Sequence, residues 1–167
     1  IGQPDFDTFA NITQAGVRAL TEGQTRYTPP AGMPAFREVI AEEAGKRRRL
    51  NINPECVIVS PGGKPNIFFP TLALIEPGDE VIYPNPGFPT YEAMIGVAGG
   101  VPIPVPLVEE NSFSFDLERF DAAVSDRTKL IIINSPGNPT GGVIPLADLE
   151  HIAAAAQRHN AWLLSDE

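Results

Sequence analysis

The sequence predicts an α/β fold built around a largely parallel sheet. Short apolar runs with turn residues behind them occupy positions 56–60, 80–84, 129–134 and 161–167, and three of them lack the alternation of a strand with one face in water. Helical patterns separate several of these runs. Strands that alternate with helices are typical of parallel sheets with right-handed crossovers.

Three stretches between the strands have apolar residues at helical spacing. The predicted helices cover about residues 34–49, 65–76 and 145–159, and Asn160 is the expected stop of the last one. The expected apolar faces are Phe36, Val39, Ile40 and Ala44 in the first helix and Leu146, Leu149, Ile152, Ala153 and Ala156 in the last. Pro70 should kink the middle helix, because proline removes a backbone donor and clashes with the preceding turn.

Two stretches fit this pattern less simply. "VPIPVPL", residues 101–107, is β-like but carries three prolines, which cannot donate to a strand ladder. It is predicted to be an edge strand or an extended cover. The last apolar run, 161–167, has no helix after it, although a buried parallel strand needs one to cover it. We therefore expect the sequence to be part of a longer polypeptide.

The composition argues against several classes of function. The 167 residues carry 12 Lys and Arg against 21 Asp and Glu, a net charge of −9, so the basic footprint of a nucleic-acid binder is missing. No apolar run is long enough to span a membrane, and no signal-peptide pattern is visible. The single cysteine, Cys56, is expected to be buried, and a cytoplasmic setting is expected. With one cysteine and two histidines, no metal site is predicted.

Two loops carry residues suited to a phosphate and a flat ring. In "VSPGGKPN", residues 59–66, Gly63 and Lys64 precede a predicted helix, whose first N–H groups and dipole favour an anion. The alternative is a plain turn with a solvated lysine. In "YPNPGFPTY", residues 83–91, three prolines and a glycine present Phe88. That ring is suited either to stacking on a heteroaromatic ligand or to plugging the core beneath the loop.

Two further strand ends offer polar side chains. "NSPGNPTG", residues 134–141, contains Asn138, whose amide can orient a phenolate-type oxygen and a carboxylate, or bond its own backbone in an Asx-type turn. Asp166 ends "WLLSD", where it needs a partner such as a protonated ring nitrogen, or acts as the N-cap of a following helix. Together the four features match the phosphate, ring face, O3′ and N1 of pyridoxal 5′-phosphate.

With these motifs, the sequence resembles the class I/II, fold type I, pyridoxal-phosphate aminotransferases. The resemblance runs from "GQPDF" through "YTPPAGMPAFR", "VSPGGKPN", "EPGDEVIYPNPGFPTY" and "NSPGNPTGG" to "SDE", and it points to the aspartate-aminotransferase-like branch. It implies a three-layer α/β/α large domain of the PLP-transferase type, incomplete in this chain. Residues 1–30 would form an N-terminal segment with substrate and dimer-side loops. Residues 31–167 would form part of the PLP-binding large domain, without its remainder and without the C-terminal small domain.

The resemblance also implies a role for each matching residue. The implied cofactor contacts are the backbone of Gly63 and Lys64 at the phosphate, Phe88 on the ring face, Asn138 at O3′, Asp166 at N1, and Tyr27 at the phosphate of a neighbouring subunit in a homodimer. Gly2 and Asn138 would lie beside the substrate carboxylate. The lysine that binds the cofactor covalently would lie beyond Glu167, so no catalytic residue is predicted within this chain. "KPN", residues 64–66, departs from many relatives, so the geometry of the helix start there could differ.

The implied function is PLP-dependent transamination between an α-amino acid and a 2-oxo acid, as part of amino-acid metabolism. Two alternatives stay open at this point. One is a PLP-dependent C–S lyase or another β-eliminating enzyme, which would share the same cofactor contacts. The other is a non-catalytic aminotransferase-like domain that senses a ligand in a transcription regulator. The substrate pair cannot be read, because most residues that would select it are expected outside the chain.

Overall fold

The computed structural model describes residues 4–167, which divide into a first unit that ends at Ser60 and a second unit, Pro61–Glu167. Gly2 therefore lies outside the described residues. None of the helices among residues 4–167 is long and apolar enough to cross a membrane. The division at residue 30 that the resemblance implies stays a prediction.

The first unit contains two α-helices and a short 3-10 turn. Helix α1 spans Ala10–Thr21, which the sequence patterns had left unassigned, α2 spans Pro34–Arg48, and the 3-10 turn spans Pro54–Cys56. The start of α2 at a proline agrees with the prediction, because a first helical residue needs no N–H donor. Helix α2 ends where the chain turns into the left-handed conformation, at Arg49 with φ of 55°.

The buried face of α2 differs from the predicted one. Ala41 and Gly45 are buried, whereas Phe36 and Val39 are about half exposed. The turn after α2 folds back onto the helix, and the N–H of Leu50 donates to the carbonyl of Gly45 at 3.0 Å. A Cβ at residue 45 would lie 2.7 Å from the carbonyl oxygen of Leu50. Backbone packs closely on this face, so small residues occupy it instead of the larger apolar ones.

Residues 57–60 do not form the predicted strand. Their backbone bonds within the first unit: the N–H of Val59 donates to the carbonyl of Ala31, and Nε of Arg37 donates to the carbonyl of Val57 at 2.8 Å. A strand exists only where a neighbour supplies a ladder, and an apolar run does not reveal that neighbour. Cys56 is exposed at the end of the 3-10 turn, so the expectation that it is buried was wrong.

The second unit is built on a five-stranded sheet. Its strands are β1 (Glu80–Asn85), β2 (Val101–Val108), β3 (Ser114–Phe115), β4 (Thr128–Asn134) and β5 (Trp162–Asp166). The strand order is β3-β2-β1-β4-β5, and only the two-residue β3 is antiparallel to its neighbour. The predictions of strands at 80–84, 129–134 and 161–167 and of a largely parallel sheet are confirmed.

Strand β2 accommodates three prolines because they stand at positions whose backbone N–H would point away from β1. The N–H of Val101 donates to the carbonyl of Asp79 at 2.8 Å, so the odd-numbered amides of β2 face β1. The even-numbered positions, where the prolines stand, face the other side. On that side β3 pairs only with Leu107 and Val108, beyond the last proline. Strand β2 is thus a strand of the sheet, second from its edge instead of the predicted edge strand or extended cover, and its donor-free side meets almost no partner.

Helices cover both faces of the sheet. On one face α3 (Lys64–Leu74) and α4 (Thr90–Val97) contribute Ile67, Tyr91 and Ile95 to a core with alternate residues of β1 and β4. On the other face α5 (Leu117–Ala123) and α6 (Leu146–Arg158) contribute Phe120 and Ile152 to a second core. This confirms the predicted three-layer α/β/α arrangement. Pro70 lies inside α3, which ends earlier than predicted.

Helix α6 follows Pro145 as predicted, and it ends near Asn160, which adopts the left-handed conformation with φ of 52°. Its buried positions are Asp148, Ile152, Ala155 and Ala156. Two members of the predicted face, Leu146 and Ala153, are exposed. The buried face of the helix differs from the predicted apolar face because it includes a polar residue, Asp148, at a position where apolar periodicity alone would place leucine.

Two buried carboxylates tie the elements together. Oε2 of Glu80, at the start of β1, accepts a hydrogen bond from the hydroxyl of Ser125 at 2.5 Å, and Oε1 pairs with the guanidinium of Arg127. The hydroxyl of Ser125 first, and then Arg127, hold the pKa of Glu80 below its usual range, against the effect of burial. Oδ2 of Asp148 accepts from the hydroxyl of Ser114 at 2.5 Å and from Asn111 Nδ2 at 3.0 Å.

Candidate functional site

The predicted site residues of the second unit gather at the carboxyl edge of the sheet. Strands β1, β4 and β5 run parallel and end at Asn85, Asn134 and Asp166, and Asn134 pairs in register with Asp166. Helix α3 ends just before β1 begins and packs on the sheet through Ile67, so its first turn points back toward the same edge. In open α/β sheets this edge is where ligands bind.

The carboxylate of Asp166 is held by a tyrosine that the sequence patterns had not singled out. The hydroxyl of Tyr91 donates to Oδ2 of Asp166 at 2.5 Å, and Tyr91 is fully buried. Burial first, and then the hydrogen bond and negative charge of Asp166, raise the pKa of Tyr91, so the hydroxyl keeps its proton and acts as a donor. The only sequence signal for this role was the spacing of Tyr91 and Ile95 on the inner face of α4.

Phe88 lies on the loop between β1 and α4. Its ring meets the ring of Tyr91 edge to face, with centroids 5.7 Å apart and planes at 84°. It also packs against the core on that side of the sheet, but part of its surface stays open. The ring thus packs in part against the core, as the plug interpretation expects, and its stacking on a ligand stays a prediction.

Asn138 is held through its backbone by Asn134, the last residue of β4. The N–H of Asn138 donates to Oδ1 of Asn134 at 2.6 Å, and Nδ2 of Asn134 donates to the carbonyl of Asp166 at 2.9 Å. The N–H of Ser135 also reaches that carbonyl, at 3.2 Å. The side chain that bonds local backbone is thus Asn134, whereas Asn138 is exposed. The Asx-type turn considered for Asn138 is not seen; instead the side chain of Asn134, four positions earlier, accepts from the N–H of Asn138.

The loop from 135 to 142 is closed by its own backbone. The N–H of Gly137 donates to the carbonyl of Gly142 at 2.8 Å, and that of Gly141 to the carbonyl of Gly137 at 2.7 Å. A Cβ at Gly142 would lie 2.2 Å from the carbonyl oxygen of Ser112. The peptide bonds before Pro136 and Pro139 are cis. These contacts give the segment around Asn138 a defined path away from the strand.

Gly63 and Lys64 form the turn that opens α3. Gly62 has φ of 85°, Gly63 is the N-cap, and the helix begins at Lys64. A Cβ at either glycine would meet no atom within 4 Å, so the space around this turn is open. The first N–H groups of a helix have no intrahelical acceptors and favour an anion. The N–H of Asn66, in the first turn of α3, donates to the carbonyl of Gly63 at 3.0 Å.

The remaining predicted contacts belong to the first unit. Tyr27 is fully exposed there. Among residues 4–167, no group of three or more His, Cys, Asp or Glu side chains is arranged to hold a metal ion.

Comparison with known proteins agrees with this geometry. The sequence matches the family described as aminotransferase class I and II over residues 1–167. It is 45% identical over 166 residues to a probable aspartate/prephenate aminotransferase of Thermus aquaticus, covering 99% of this chain and 43% of that protein. It superimposes with a TM-score of 0.96 on an aspartate aminotransferase from Thermus thermophilus with maleate, at 44% identity, covering 100% of this chain and 44% of the other.

A third similarity extends the range of named substrates. An aromatic aminotransferase from Pyrococcus horikoshii OT3 superimposes with a TM-score of 0.95 at 38% identity, and the match covers 100% of this chain and 45% of that one. The chain therefore spans less than half the length of the relatives that it matches.

Proposed function

Because the chain belongs to the class I and II aminotransferase family, we propose that the whole protein transfers an amino group between an α-amino acid and a 2-oxo acid with pyridoxal 5′-phosphate as cofactor. The observation that carries this proposal is the carboxylate of Asp166 at the end of β5, which accepts from the hydroxyl of Tyr91, whose ring in turn meets the ring of Phe88 edge to face. No observation specifically favours β-elimination or a non-catalytic sensor, which become outcomes of the test below.

The donor set supports the cofactor at the carboxyl edge of the sheet. Only Oδ2 of Asp166 receives the hydroxyl of Tyr91, so its other carboxylate oxygen is suited to accept from a ring N–H. The glycine turn before α3 has room for a phosphate, since no atom approaches the Cβ positions of Gly62 or Gly63. An anion there would also be favoured by the helix dipole. The partly open ring of Phe88 offers a stacking surface.

Pyridoxal 5′-phosphate, when bound, supplies an electron sink for the electrons released at the substrate Cα. In this proposal Asp166 accepts a hydrogen bond from N1 and keeps the ring nitrogen protonated. The backbone of Gly63 and Lys64 holds the phosphate, and Phe88 covers the ring face. The amide of Asn138 donates to O3′ and to the substrate carboxylate, with Gly2 alongside the same carboxylate. The lysine that would move the proton at Cα belongs to the part of the protein beyond Glu167.

A homodimer completes this proposal. Tyr27 is fully exposed on the first unit, which suits a hydroxyl offered to the cofactor phosphate of a neighbouring subunit. Replacing Tyr27 with Phe in the whole protein should then weaken cofactor binding in a dimer while leaving the dimer intact. Sedimentation together with cofactor titration distinguishes this result from a loss of assembly. The cytoplasmic setting expected from the sequence stays a prediction.

The test uses the full-length protein loaded with pyridoxal 5′-phosphate. We expect a visible absorbance band that is lost on addition of an amino-acid donor and restored by a 2-oxo acid, with ping-pong kinetics. Aspartate is the first donor to try, because relatives carry its name. Asp166→Ala should lower the turnover at least about a hundredfold, as expected for loss of a preorganised electrostatic partner. Release of ammonia and pyruvate instead would indicate β-elimination, and an unchanged band with every donor would indicate a sensor.

A further inference from the structure

Asn134 occupies the point where two segments of the proposed site meet. It is the last residue of β4, and its side-chain amide uses both ends. Oδ1 accepts from the N–H of Asn138 at 2.6 Å, and Nδ2 donates to the carbonyl of Asp166 at 2.9 Å. One planar group therefore spans the distance between the backbone of the loop and the backbone of β5.

These two hydrogen bonds of Asn134, here called the tie, both end on backbone atoms. They therefore leave the side chains of Asn138 and Asp166, which are proposed to bind the ligand, unoccupied. The carboxylate of Asp166 is contacted separately, by the hydroxyl of Tyr91. Asn138 remains exposed. Asn134 itself is partly buried and lies in the β4–β5 register opposite Asp166. An amide is suited to this place because it donates and accepts at once, which neither a carboxylate nor a hydroxyl on the same short stem can do at both positions.

We propose that Asn134 is a positioning residue that fixes the Asn138 loop relative to the end of β5, so that the ligand groups recognised by Asn138 and Asp166 are held at one separation. This inference rests on the proposed function for its ligand, pyridoxal 5′-phosphate, but the tie itself is a property of the protein without ligand. A small displacement of a positioned group weakens binding and slows catalysis. Loss of the tie should therefore weaken the ligand contacts of both Asn138 and Asp166.

Amide hydrogen exchange of the full-length protein without cofactor tests the tie. In Asn134→Ala the amide of Asn138 should exchange about tenfold faster than in the parent, because its acceptor is gone. Asn134→Asp keeps an oxygen for that amide and should keep most of the protection. The matched control is Asn111→Ala, which removes a side-chain hydrogen bond to Asp148 at the β2–β3 connection and should leave the exchange of Asn138 unchanged. Equal exchange in parent and Asn134→Ala would overturn the tie.

Cofactor and substrate binding test the positioning role. The dissociation constant for pyridoxal 5′-phosphate should rise about tenfold or more in Asn134→Ala, and it should rise in Asn134→Asp as well, because both lose the donor to the carbonyl of Asp166. Asn111→Ala should bind as the parent does. A rise shared by all three variants would show a general loss of stability and overturn the proposal.

A double-mutant cycle asks whether the effect runs through the side chain of Asn138. Asn138→Ala should raise the KM for the amino acid by a smaller factor in the Asn134→Ala background than in the parent, since the displaced loop no longer presents that side chain. Equal factors in both backgrounds would overturn the coupling. If the parent transaminates while Asn134→Ala keeps its exchange, affinity and KM, this inference fails and the proposed function stands. If the parent binds no pyridoxal 5′-phosphate, the proposed function fails, and with it the role of Asn134 toward that ligand.

Discussion

Removing the hydroxyl of Tyr91 should loosen the carboxylate of Asp166 without disturbing the packing around the ring. Tyr91→Phe keeps the volume of a fully buried side chain, so it creates no cavity. It also keeps the edge-to-face contact with Phe88, because that contact uses only the ring. The substitution therefore isolates one hydrogen bond, from the hydroxyl to Oδ2 of Asp166 at 2.5 Å.

The size of the effect follows from the surroundings of the two partners. A hydrogen bond to a charged group contributes about 1.5–3 kcal/mol. Its short length argues for the upper part of that range. Asp166 is only half buried, however, so water can replace part of the lost interaction. We expect a total loss of about 1.5 kcal/mol in the cofactor-bound protein, equivalent to about a tenfold change in an equilibrium constant.

Two measurements on the full-length protein divide that loss. Urea unfolding of the protein without cofactor measures how much of the lost free energy had stabilised the fold. Titration with pyridoxal 5′-phosphate measures how much of it had preorganised Asp166 for cofactor binding. The matched control is Tyr83→Phe. Tyr83 is buried against the same face of the sheet, but its hydroxyl interacts with Glu92. The control should leave the cofactor dissociation constant unchanged. If Tyr91→Phe changes neither quantity, or if both tyrosine variants weaken the cofactor equally, the assigned role of Tyr91 is wrong.

Three further changes test the packing that supports this edge. Glu80 has a lowered pKa, so the stabilisation that it contributes is present above the ordinary glutamate value of about 4.5 and is lost as the pH falls through the lower folded value. The urea midpoint of Glu80→Gln should therefore depend less on pH in this acidic window than the midpoint of the parent. Gly142→Ala should cost about 1–3 kcal/mol in urea unfolding, because its Cβ would lie 2.2 Å from the carbonyl oxygen of Ser112. Asp148→Ala should cost about 1–3 kcal/mol in the same assay, because the fully buried hydroxyl of Ser114 loses its acceptor.

Two of these changes have a comparison variant that separates the cause from a general effect. Gly96→Ala in α4 meets no atom within 4 Å and should stabilise the protein by about 0.5–1 kcal/mol. Asp121→Ala removes an exposed carboxylate, paired with His151, and should cost less than about 1 kcal/mol. Parallel pH curves for Glu80→Gln and the parent would contradict the assigned effect of Ser125 and Arg127 on Glu80. A neutral Gly142→Ala, or equal losses at Asp121 and Asp148, would contradict the packing arguments.

The parallel sheet was predictable because the composition of its strands is distinctive. Buried parallel strands carry apolar residues on both faces, and 80–84 and 129–134 needed no knowledge of their neighbours to be recognised. Residues 57–60 have the same composition but no ladder. Two of their hydrogen bonds join Val59 to the carbonyl of Ala31 and Val57 to the side chain of Arg37, partners that are distant in sequence. Apolar composition predicts burial, whereas pairing depends on which backbone lies alongside.

The inner faces of the helices were harder to predict for a related reason. Apolar periodicity assumes that the largest apolar residues turn inward. In α2 the inward face meets backbone, and Gly45 allows that close approach. In α6 the inward face contains Asp148, because Ser114 in β3 and Asn111 in the connection between β2 and β3 donate hydrogen bonds to it. A periodicity argument cannot include partners that only the tertiary fold brings into contact.

The same distinction separates the two kinds of residue at the carboxyl edge. Asn138 and Asp166 stand out in the sequence because Asn138 lies in a loop rich in proline and glycine and Asp166 is a carboxylate at the end of an apolar strand. Asn134 and Tyr91 do not, because each is compatible with an ordinary strand or helix position, and each acts on a partner that chain folding brings near. The backbone and carboxylate of Asp166 are held by these two different side chains. If the proposed site is right, the separation between its ligand contacts is set by residues outside the contacts themselves, and substitutions at Asn134 or Tyr91 should alter binding geometry while leaving the recognising groups in place.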